Sequence, residues 1–362
     1  MNSPDQRVTL RDLAKRLGLT HATVSMALRD RPGIAKKTRQ RVVEEAESCG
    51  YRPDPMLSAL AAYRQGKKSP TYHGHLALLY DHPTFDAFLS RPLFRQYYEG
   101  ACRRAEELGF KVEPYSLRDV PAARLSTILD ARGVQGIMVA PLERPDTSLS
   151  MRWDKFSSVA FGFSLAWPRL HTISSAQYRI ALAATRRLHE LGYRRVGFFR
   201  SRSYDQRTDR NFTAGFLSGS MEVPAACRVP PLTINDEDPE PAISAEIKKW
   251  IIRSRVEAVL CSSGLHPLVS GAGFAIPEDV AVALIGCPNN SPGFAGMDEN
   301  SFRTGTLAVE HLVVMIQKGE RGVPEVPSDL LVEGTWIDGG SAPSKPGPPQ
   351  PCRPVKSPCA LA

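Results

Sequence analysis

The fold of the amino-terminal part of the chain is decided by residues 8–29, VTLRDLAKRLGLTHATVSMALR. Four apolar residues at i, i+3, i+4 and i+7 predict one stripe of a short helix. These residues are Leu10, Leu13, Ala14 and Leu17. Thr9 precedes the stripe as an N-cap residue, and Asp12 follows it by three positions in a capping-box arrangement. Gly18 stands where a left-handed residue commonly ends a helix.

A second short helix is predicted directly after this turn. Thr20 can cap it, and either Ala22 or Thr23 begins an inward face that continues with Val24, Ala27 and Leu28. Two short helices joined by a tight turn predict a helix-turn-helix, whose second helix lies in the major groove of DNA. Many helical hairpins share this spacing, so the pair alone is a weak signal.

A third helix is predicted over residues 36–49, with Ala35 at its cap position and Gly50 closing it. Alanine is a weaker N-cap than serine or aspartate by about 1 kcal/mol. The residues expected to face inward are Thr38, Val42, Val43 and Ala46.

Positive charge is concentrated at the two ends of the 362-residue chain. Residues 1–68 contain fourteen Lys or Arg and seven Asp or Glu, a net charge of +7, whereas residues 69–340 carry a net charge of −2. Residues 341–362 add +3, which gives the total of +8. A small basic module joined to a nearly neutral body indicates a polyanion partner. Charge alone would be explained as well by a solvated basic face.

The stretch from 8 to 61 carries a more specific signal. It reads VTLRDLAKRLGLTHATVSMALRDRPGIAKKTRQRVVEEAESCGYRPDPMLSALA. Its landmarks are VTL at the start, TVS in the second helix, KTR in the third and GYxP after it. The stretch closely resembles the DNA-binding headpiece of LacI-type transcription regulators, the lac and purine repressor family. A looser resemblance continues to about residue 340.

The resemblance implies DNA contacts of two kinds. Hydroxyl and cationic side chains would hold the DNA backbone without reading its sequence. They are Thr9, Thr20, Thr23, Ser25, Lys37, Thr38 and Arg39. His21, Ala22 and Met26 fall where family members read base edges, and the last of these positions is commonly Arg. Because Met26 cannot donate a hydrogen bond, it either contacts thymine methyl groups or packs on the third helix.

Residues 55–73 resemble the hinge of the family. Met56–Tyr63 has helical spacing but is too short to be stable alone, so it is expected to fold when a second chain and DNA supply contacts. Leu60 matches the leucine that inserts into the minor groove and bends the duplex. The DNA-binding positions implied by the resemblance also include Arg29, Tyr51 and Leu57. The alternative is a core helix of the body, which the flanking prolines disfavour.

From residue 75 onward, predicted strands alternate with predicted helices, which indicates parallel α/β sheets. The strands are 76–80, 110–117, 136–142, 157–163, 171–175, 195–200, 258–263 and 280–286, and the helices are 94–108, 122–132, 178–191, 245–253 and 304–318. The order is similar to the periplasmic-binding-protein-like core of the family. The fold class expected is a small all-α helix-turn-helix headpiece plus an α/β body of two doubly wound parallel-sheet subdomains, with a ligand cleft between them.

The polar residues that the family uses to bind a sugar are mostly absent. Its acid-amide pair is replaced by Ala176-Gln177, its arginine before the Gly-aromatic pair by Phe212, and its Asn-Asp pair by Ser263-Gly264. The late strand ends in Gly-Cys-Pro-Asn. The candidate effector-binding residues are Ser175, Gln177, Arg210 and Asn289. Either the effector is unusual and less polar than a sugar, or the body no longer binds one.

Other classes of protein have no support in the sequence. No apolar run is long enough to span a membrane, and the start lacks a signal peptide. The seven cysteines include no CxxC pair, so we expect reduced thiols, no metal site and no cofactor. No nucleophile elbow, P-loop or HExxH motif is present, so an enzyme is not expected. The Pro-rich tail is expected to be disordered.

The sequence therefore predicts a cytoplasmic, nucleoid-associated transcription regulator that binds operator DNA as a homodimer. The expected domains are the headpiece at 1–54, the hinge and linker at 55–73, the body at 74–340 and the tail at 341–362. Repression is expected, with an activator, a ligand-independent regulator and a ligand sensor with vestigial DNA contact as alternatives. A small-molecule effector would act by changing subdomain closure and hence hinge order.

Overall fold

The structure is a computed structural model that describes residues 10–28, 34–49, 73–286 and 292–345. The predicted hinge, apart from its last residue, and most of the predicted tail lie outside these ranges.

Three short helices form the headpiece. They are α1 (Leu10–Leu17), α2 (His21–Leu28) and α3 (Lys36–Ser48). Their common core consists of Leu13, Ala14, Val24, Ala27, Val42 and Ala46. The spacing predicted this core, but two residues of α3 that were expected to face inward do not belong to it: Val43 is exposed and Thr38 is half-buried. Val42 and Ala46, four residues apart on one face of α3, supply its inward side chains.

The body consists of strands and helices that alternate as the sequence predicted. The strands are β1 (Gly74–Tyr80), β2 (Phe110–Ser116), β3 (Gly136–Val139), β4 (Thr147–Ser148), β5 (Ser157–Phe161), β6 (Leu165–Trp167), β7 (His171–Ser175), β8 (Val196–Ser201), β9 (Leu232–Ile234), β10 (Ala258–Ser262), β11 (Ala281–Gly286), β12 (Ala295–Asp298), β13 (Asp329–Val332) and β14 (Thr335–Ile337). The helices are α4 (Phe85–Leu89), α5 (Pro92–Glu107), α6 (Ala122–Ala131), α7 (Gln177–Glu190), α8 (Arg202–Arg207), α9 (Asn211–Ser220), α10 (Glu240–Ser254), α11 (Pro267–Gly271) and α12 (Ser301–Lys318).

Twelve of these strands form two six-stranded sheets, each with an apolar core on both faces, and β4 and β6 form a separate two-stranded sheet. The first sheet has the order β13-β7-β5-β3-β1-β2 and the second the order β14-β12-β11-β10-β8-β9. All neighbours in the two sheets are parallel except β14, which pairs antiparallel with β12. The structure therefore has the two doubly wound subdomains that the sequence predicted.

The chain passes between the two subdomains three times. It leaves the first sheet after β7 and enters α7, which packs on α9 in the second subdomain. It returns after β12 into α12, which packs on α5, and β13 then joins the first sheet before β14 joins the second. The short edge strands β13 and β14, with irregular burial patterns, had no recognisable signal in the sequence.

Glycines allow the helices of each pair to approach closely. A methyl group on Gly305 of α12 would overlap the carbonyl oxygen of Tyr97 in α5, and one on Gly100 would overlap that of Phe302. In the second subdomain a methyl group on Gly215 of α9 would overlap the carbonyl oxygen of Tyr178 in α7. The two subdomains thus share one way of packing their helices.

The body extends beyond its predicted end at residue 340. Ser341 donates a hydrogen bond to the carbonyl of Val282 at 2.6 Å, and the Tyr193 hydroxyl donates to the carbonyl of Pro343 at 2.6 Å. Lys345 forms an ion pair of 2.7 Å with Glu257. Residues 341–345 therefore belong to the body, and the boundary predicted from proline content was placed too early because it ignored these contacts.

The cysteines follow the prediction only in part. Cys49, Cys102 and Cys261 are free thiols, and burial raises the pKa of Cys261 to about 12. The expectation of reduced thiols fails at Cys227, which is disulfide-bonded. Among the residues that the structure describes, no helix is long and apolar enough to cross a membrane. No cluster of potential metal ligands occurs within the same ranges.

Candidate DNA interface and effector cleft

The turn between α1 and α2 has the geometry that a helix-turn-helix requires. Gly18 has a φ of +65°, the left-handed conformation that favours glycine, and the Leu19 amide donates to the carbonyl of Ala14 at 3.0 Å. The Thr20 hydroxyl accepts from the amide of Thr23 at 3.1 Å, so Thr20 is the N-cap of α2. These bonds fix the angle at which α2 leaves the turn.

Several predicted DNA-binding residues are accessible on the headpiece. Thr20, Met26 and Lys37 are exposed, whereas Thr23, Ser25, Thr38 and Arg39 are half-buried. Met26 is 37% exposed and contributes nothing to the headpiece core. Of the two interpretations of Met26, packing on the third helix therefore finds no support, and an outward apolar contact remains.

Other predicted contacts fall beyond what the structure describes. They are Thr9, Arg29, Tyr51, Leu57, Leu60 and Asn289, together with the side chains of His21 and Ala22. Their roles remain predictions.

Exposed cations lie on the two helices that pack on α2. Arg11 and Lys15 on α1 and Lys36 and Lys37 at the start of α3 are exposed. Arg16 lies 3.5 Å from Glu45 in a solvent-accessible ion pair that joins α1 to α3. Such a pair contributes little to stability, about 0–1 kcal/mol, so most of this charge is available to phosphates.

A second candidate site lies in the cleft between the two subdomains of the body. A cavity of about 40 Å³ is lined by the carboxyl ends of the first sheet and by α8 and Glu299 of the second subdomain. Ligands of open α/β sheets bind beyond the carboxyl ends of the strands, as the sequence analysis anticipated. Phe94, Tyr97 and Phe163 form apolar walls of this cavity.

A cluster of charged residues follows the strands of the first sheet. The His82 ring is 1% exposed and lies 3.5 Å from Asp81 and 3.7 Å from Glu143, measured from ring nitrogen to carboxylate oxygen. Burial lowers the pKa of His82 to about 4, so the ring is neutral at pH 7. Glu143 also binds Arg118 at 2.5 Å and Arg91 at 3.6 Å.

Arg207 connects the two subdomains across the cleft. It is the last residue of α8, and its Nη1 donates to the carbonyl of Leu142 in the first subdomain at 3.2 Å. Its guanidinium lies 5.1 Å from the centre of the Tyr204 ring, and burial lowers its pKa. The Nε of Arg207 is buried without a hydrogen-bond partner.

Arg200 is fully buried at the end of β8. Its Nη2 donates to the hydroxyl of Ser262 at 3.1 Å, and its guanidinium lies 4.0 Å from the centre of the Phe212 ring. The centre of the Tyr204 ring lies 4.3 Å from the same guanidinium, so the Tyr204 ring contacts both Arg200 and Arg207. Desolvation lowers the pKa of Arg200, and cation–π contacts compensate part of the desolvation.

Glu299 and Gln177 present acceptors to the cavity. Glu299 Oε2 accepts from the Ser175 hydroxyl at 2.5 Å, while Oε1 has no hydrogen-bond partner. Burial raises the pKa of Glu299. The Gln177 Nε2 donates to Ser174 at 3.5 Å, and its Oε1 is also without a partner. Both side chains are more than nine-tenths buried.

Only some of the predicted effector residues are found at the cavity. Gln177 lines it, and Ser175 does not line it but donates to Glu299, which does. Arg210 is exposed before α9 and does not line the cavity. Phe212, where the family commonly has arginine, is buried against Arg200. The arginine that lines the cavity is instead Arg207 of α8, which no sequence pattern had singled out. Arg200, the charged residue near the end of the apolar strand β8, contacts the same Tyr204 ring.

Two family models match the sequence. The model described as "Bacterial regulatory proteins, lacI family" matches residues 9–54, and that described as "Periplasmic binding protein-like domain" matches residues 185–342. The two matches together span more than half of the chain.

Individual transcription regulators are also similar to this chain in sequence or in fold. The chain is 24% identical over 353 residues to the HTH-type transcriptional repressor PurR of Pectobacterium carotovorum, covering 91% of this chain and 97% of PurR. The cellobiose complex of the transcriptional regulator CelR is 19% identical, with a TM-score of 0.56 and coverage of 92% and 100%. The lac repressor dimer bound to operator and the anti-inducer ONPF is 15% identical, with a TM-score of 0.53 and coverage of 93% and 99%.

Proposed function

Because the chain belongs to the lacI family of bacterial regulatory proteins, we propose that it represses transcription by binding a palindromic operator as a homodimer. Membership of this family makes the chain a DNA-binding transcription regulator; repression, operator symmetry and the dimer are the proposal. The protein would act in the cytoplasm on the nucleoid.

The observation that carries the proposal is the geometry of the headpiece. The Thr20-capped α2 presents Ser25 and the exposed Met26, and α3, which packs on α2, begins with the exposed Lys37 and the half-buried Thr38. Hydroxyls and cations of this kind bind phosphates and set the register of a helix in the major groove. Met26 would then contact thymine methyl groups, since it cannot donate to guanine. The neighbouring His21 would supply a hydrogen bond to a base edge.

The proposed domain boundaries are a headpiece at 1–54, a hinge and linker at 55–73 and a body from residue 74. Leu60 of the hinge would insert into the minor groove at the centre of the operator. The dimeric solved relative bound to operator supports the pairing of two headpieces.

Control by a small molecule is part of the proposal. The solved complex of CelR holds cellobiose, and the cleft of the present chain keeps buried polar groups. A specific observation favours the alternative of a ligand-independent regulator. The cavity of about 40 Å³ is far smaller than the roughly 300 Å³ or more of ordinary ligand pockets, so a ligand requires the subdomains to open.

The test begins with selection of a duplex from random DNA by the full-length protein. Fluorescence anisotropy then measures its affinity. We expect Leu60→Ala to weaken binding by roughly 1–3 kcal/mol, as for the loss of a buried anchor. Arg39→Ala should weaken binding to every duplex alike and reduce the salt slope by about 1.

The matched comparison is between these two variants. If Leu60→Ala bound the operator with unchanged affinity, Leu60 would not insert into the minor groove. If Arg39→Ala changed the preference for a base, Arg39 would read a base edge and not hold the DNA backbone. A promoter carrying the selected site upstream of a reporter gene separates the repressor from the activator. Reporter output should fall when the protein is expressed.

A further inference from the structure

We infer that the cleft binds a small carboxylic acid that carries hydroxyl or amino groups, with its carboxylate at Arg207 and its hydrogen-bond donors at Glu299 and Gln177. The inference rests on the proposed control by a small molecule and names the class of that molecule. It is carried by polar atoms that line the cavity and have no partner.

The Arg207 side of the cavity has an excess of positive charge. Three arginines and two carboxylates meet there while the His82 ring is neutral, which leaves a net charge of +1 among the described residues of this cluster. The members are Arg91, Arg118, Arg207, Asp81 and Glu143. The unpartnered Nε of Arg207 is a buried donor, and leaving it unpaired has a cost. A carboxylate oxygen satisfies both the charge and the donor.

The opposite side of the cavity offers acceptors. Glu299 Oε1 and Gln177 Oε1 are both buried and both lack a hydrogen-bond donor. Hydroxyl and ammonium groups are donors that pair with such oxygens, whereas a second carboxylate would be repelled. The ligand must therefore be an acid at one end and a donor at the other.

Neutral sugars and simple amines each satisfy only one side. A neutral sugar can bond to Glu299 and Gln177 but leaves the excess positive charge beside Arg207 uncompensated. An amine without a carboxylate places a second cation near Arg207. The walls formed by Phe94, Tyr97 and Phe163 suit the carbon skeleton between the two ends.

Binding of such an acid would be coupled to subdomain opening. The cavity of about 40 Å³ has room for only a few waters, so the acid enters only when the subdomains separate. The bond from Arg207 to the Leu142 carbonyl, which spans the cleft, is then free to rearrange towards the carboxylate.

The experiment measures the thermal unfolding midpoint of the full-length protein with millimolar gluconate, L-serine or glucose. Gluconate and glucose have the same number of carbons and differ in the carboxylate. We expect gluconate or L-serine to raise the midpoint by roughly 2–4 °C or more and glucose to leave it unchanged. Calorimetric titration then gives the affinity for the acid that acts.

Variants locate the two ends of the acid. Arg207→Gln should weaken acid binding by about 30-fold or more, Arg207→Lys should restore part of it, and the exposed Arg210→Gln is the matched control without effect. Glu299→Gln keeps an acceptor but removes the charge. It should therefore weaken L-serine, which brings an ammonium, more than gluconate.

Two kinds of result would overturn the inference. One is a response to glucose as large as that to gluconate, or no response to either acid. The other is an acid response that persists in a folded Arg207→Gln variant, as judged by circular dichroism. Operator affinity without any probe is measured on the same samples. Intact operator binding with no acid response therefore ends this inference and leaves the proposed function standing.

Discussion

The headpiece and the cleft differ in how their functional residues are distributed along the chain. In the headpiece, the cap, the turn and the outward face of α2 lie within about two turns of helix of one another, from Gly18 to Met26. In the cleft, Ser174 of the first sheet and Arg207 and Glu299 of the second subdomain come from separate elements and meet only when both subdomains are folded. Local spacing can therefore specify a DNA-binding surface, whereas a ligand site depends on the path of the chain between subdomains.

The two regions also differ in how completely their polar groups are paired. In the headpiece the Thr20 hydroxyl is bonded to Thr23 within its own turn, and the cations of Arg11, Lys15, Lys36 and Lys37 are exposed to solvent. The cleft keeps buried atoms of Arg207, Gln177 and Glu299 without partners. Buried polar groups are normally satisfied, so such exceptions point to a ligand or a movement.

The largest effect is expected in the body. Gly305→Ala should lower the free energy of unfolding by about 4 kcal/mol or more, because the added methyl overlaps the backbone carbonyl of Tyr97 and neither helix can give way locally. Denaturant unfolding followed by circular dichroism measures the change. Gly264→Ala is the control, since a methyl there meets no atom within 4 Å. Equal stability of the two variants would mean that α5 and α12 are not packed as described.

A smaller loss is expected in the headpiece. Leu13→Ala removes a fully buried side chain from a core of six residues and should destabilise the headpiece by roughly 3 kcal/mol. Operator binding should be lost at 37 °C while the unfolding midpoint of the body is unchanged. The control is Val43→Ala, which changes an exposed position on α3. If the body melted earlier as well, the two regions would not be independent in stability.

The charged cluster around His82 in the body predicts a pH dependence of stability. His82 has a pKa of about 4 when folded and about 6.5 when unfolded, so the unfolded chain binds more protons between these values. The neutral His82 ring makes its full contribution to the free energy of unfolding above pH 6.5. This contribution falls by about 2–3 kcal/mol as the pH drops towards 4. Burial raises the pKa of Asp81, which acts in the opposite sense, so the wild type must be compared with His82→Gln.

The measurement is the difference in unfolding free energy between these two proteins at pH 7 and at pH 4.5. The difference should shrink as the pH falls. A difference that is constant over this range would show that the ring is solvated rather than buried.

The smallest effect is expected at the turn of the headpiece. Gly18 has a φ of +65° with open space around it, so Gly18→Ala should lower stability by about 1 kcal/mol through backbone strain alone. Gly18→Asn should cost less, because asparagine tolerates the left-handed region. Thermal unfolding of the headpiece ranks the two variants, and a larger loss in the asparagine variant would contradict the turn geometry.

The sequence predicted most of the architecture because apolar periodicity reports burial directly. Each strand predicted from an apolar run, such as 258–263 and 280–286, is present within a few residues of the predicted bounds. The missed elements include α9, a largely buried helix rich in glycine and serine, and short or partly exposed strands such as β13 and β14. The edge strands β13 and β14 pair with different sheets because the chain crosses between the subdomains after β13. No local sequence pattern predicts this crossing.

The candidate cleft was less predictable than the headpiece. Of the positions carried over from the family, Gln177 lines the cavity, whereas Arg210 is exposed and does not. Arg207 lines the cavity from α8 instead, and Phe212 packs where an arginine was expected. A position-by-position comparison with the family finds an arginine only where the family has one. It therefore misses an arginine that a neighbouring element supplies.

The most direct test of the account is an anisotropy titration of the full-length protein on a selected palindromic duplex and on a scrambled duplex of equal composition. We expect the palindrome to bind roughly 10³-fold more tightly or better, with two chains per duplex and an affinity that falls steeply with salt. Equal affinity for both duplexes, or binding by one chain alone, would contradict a dimeric headpiece regulator.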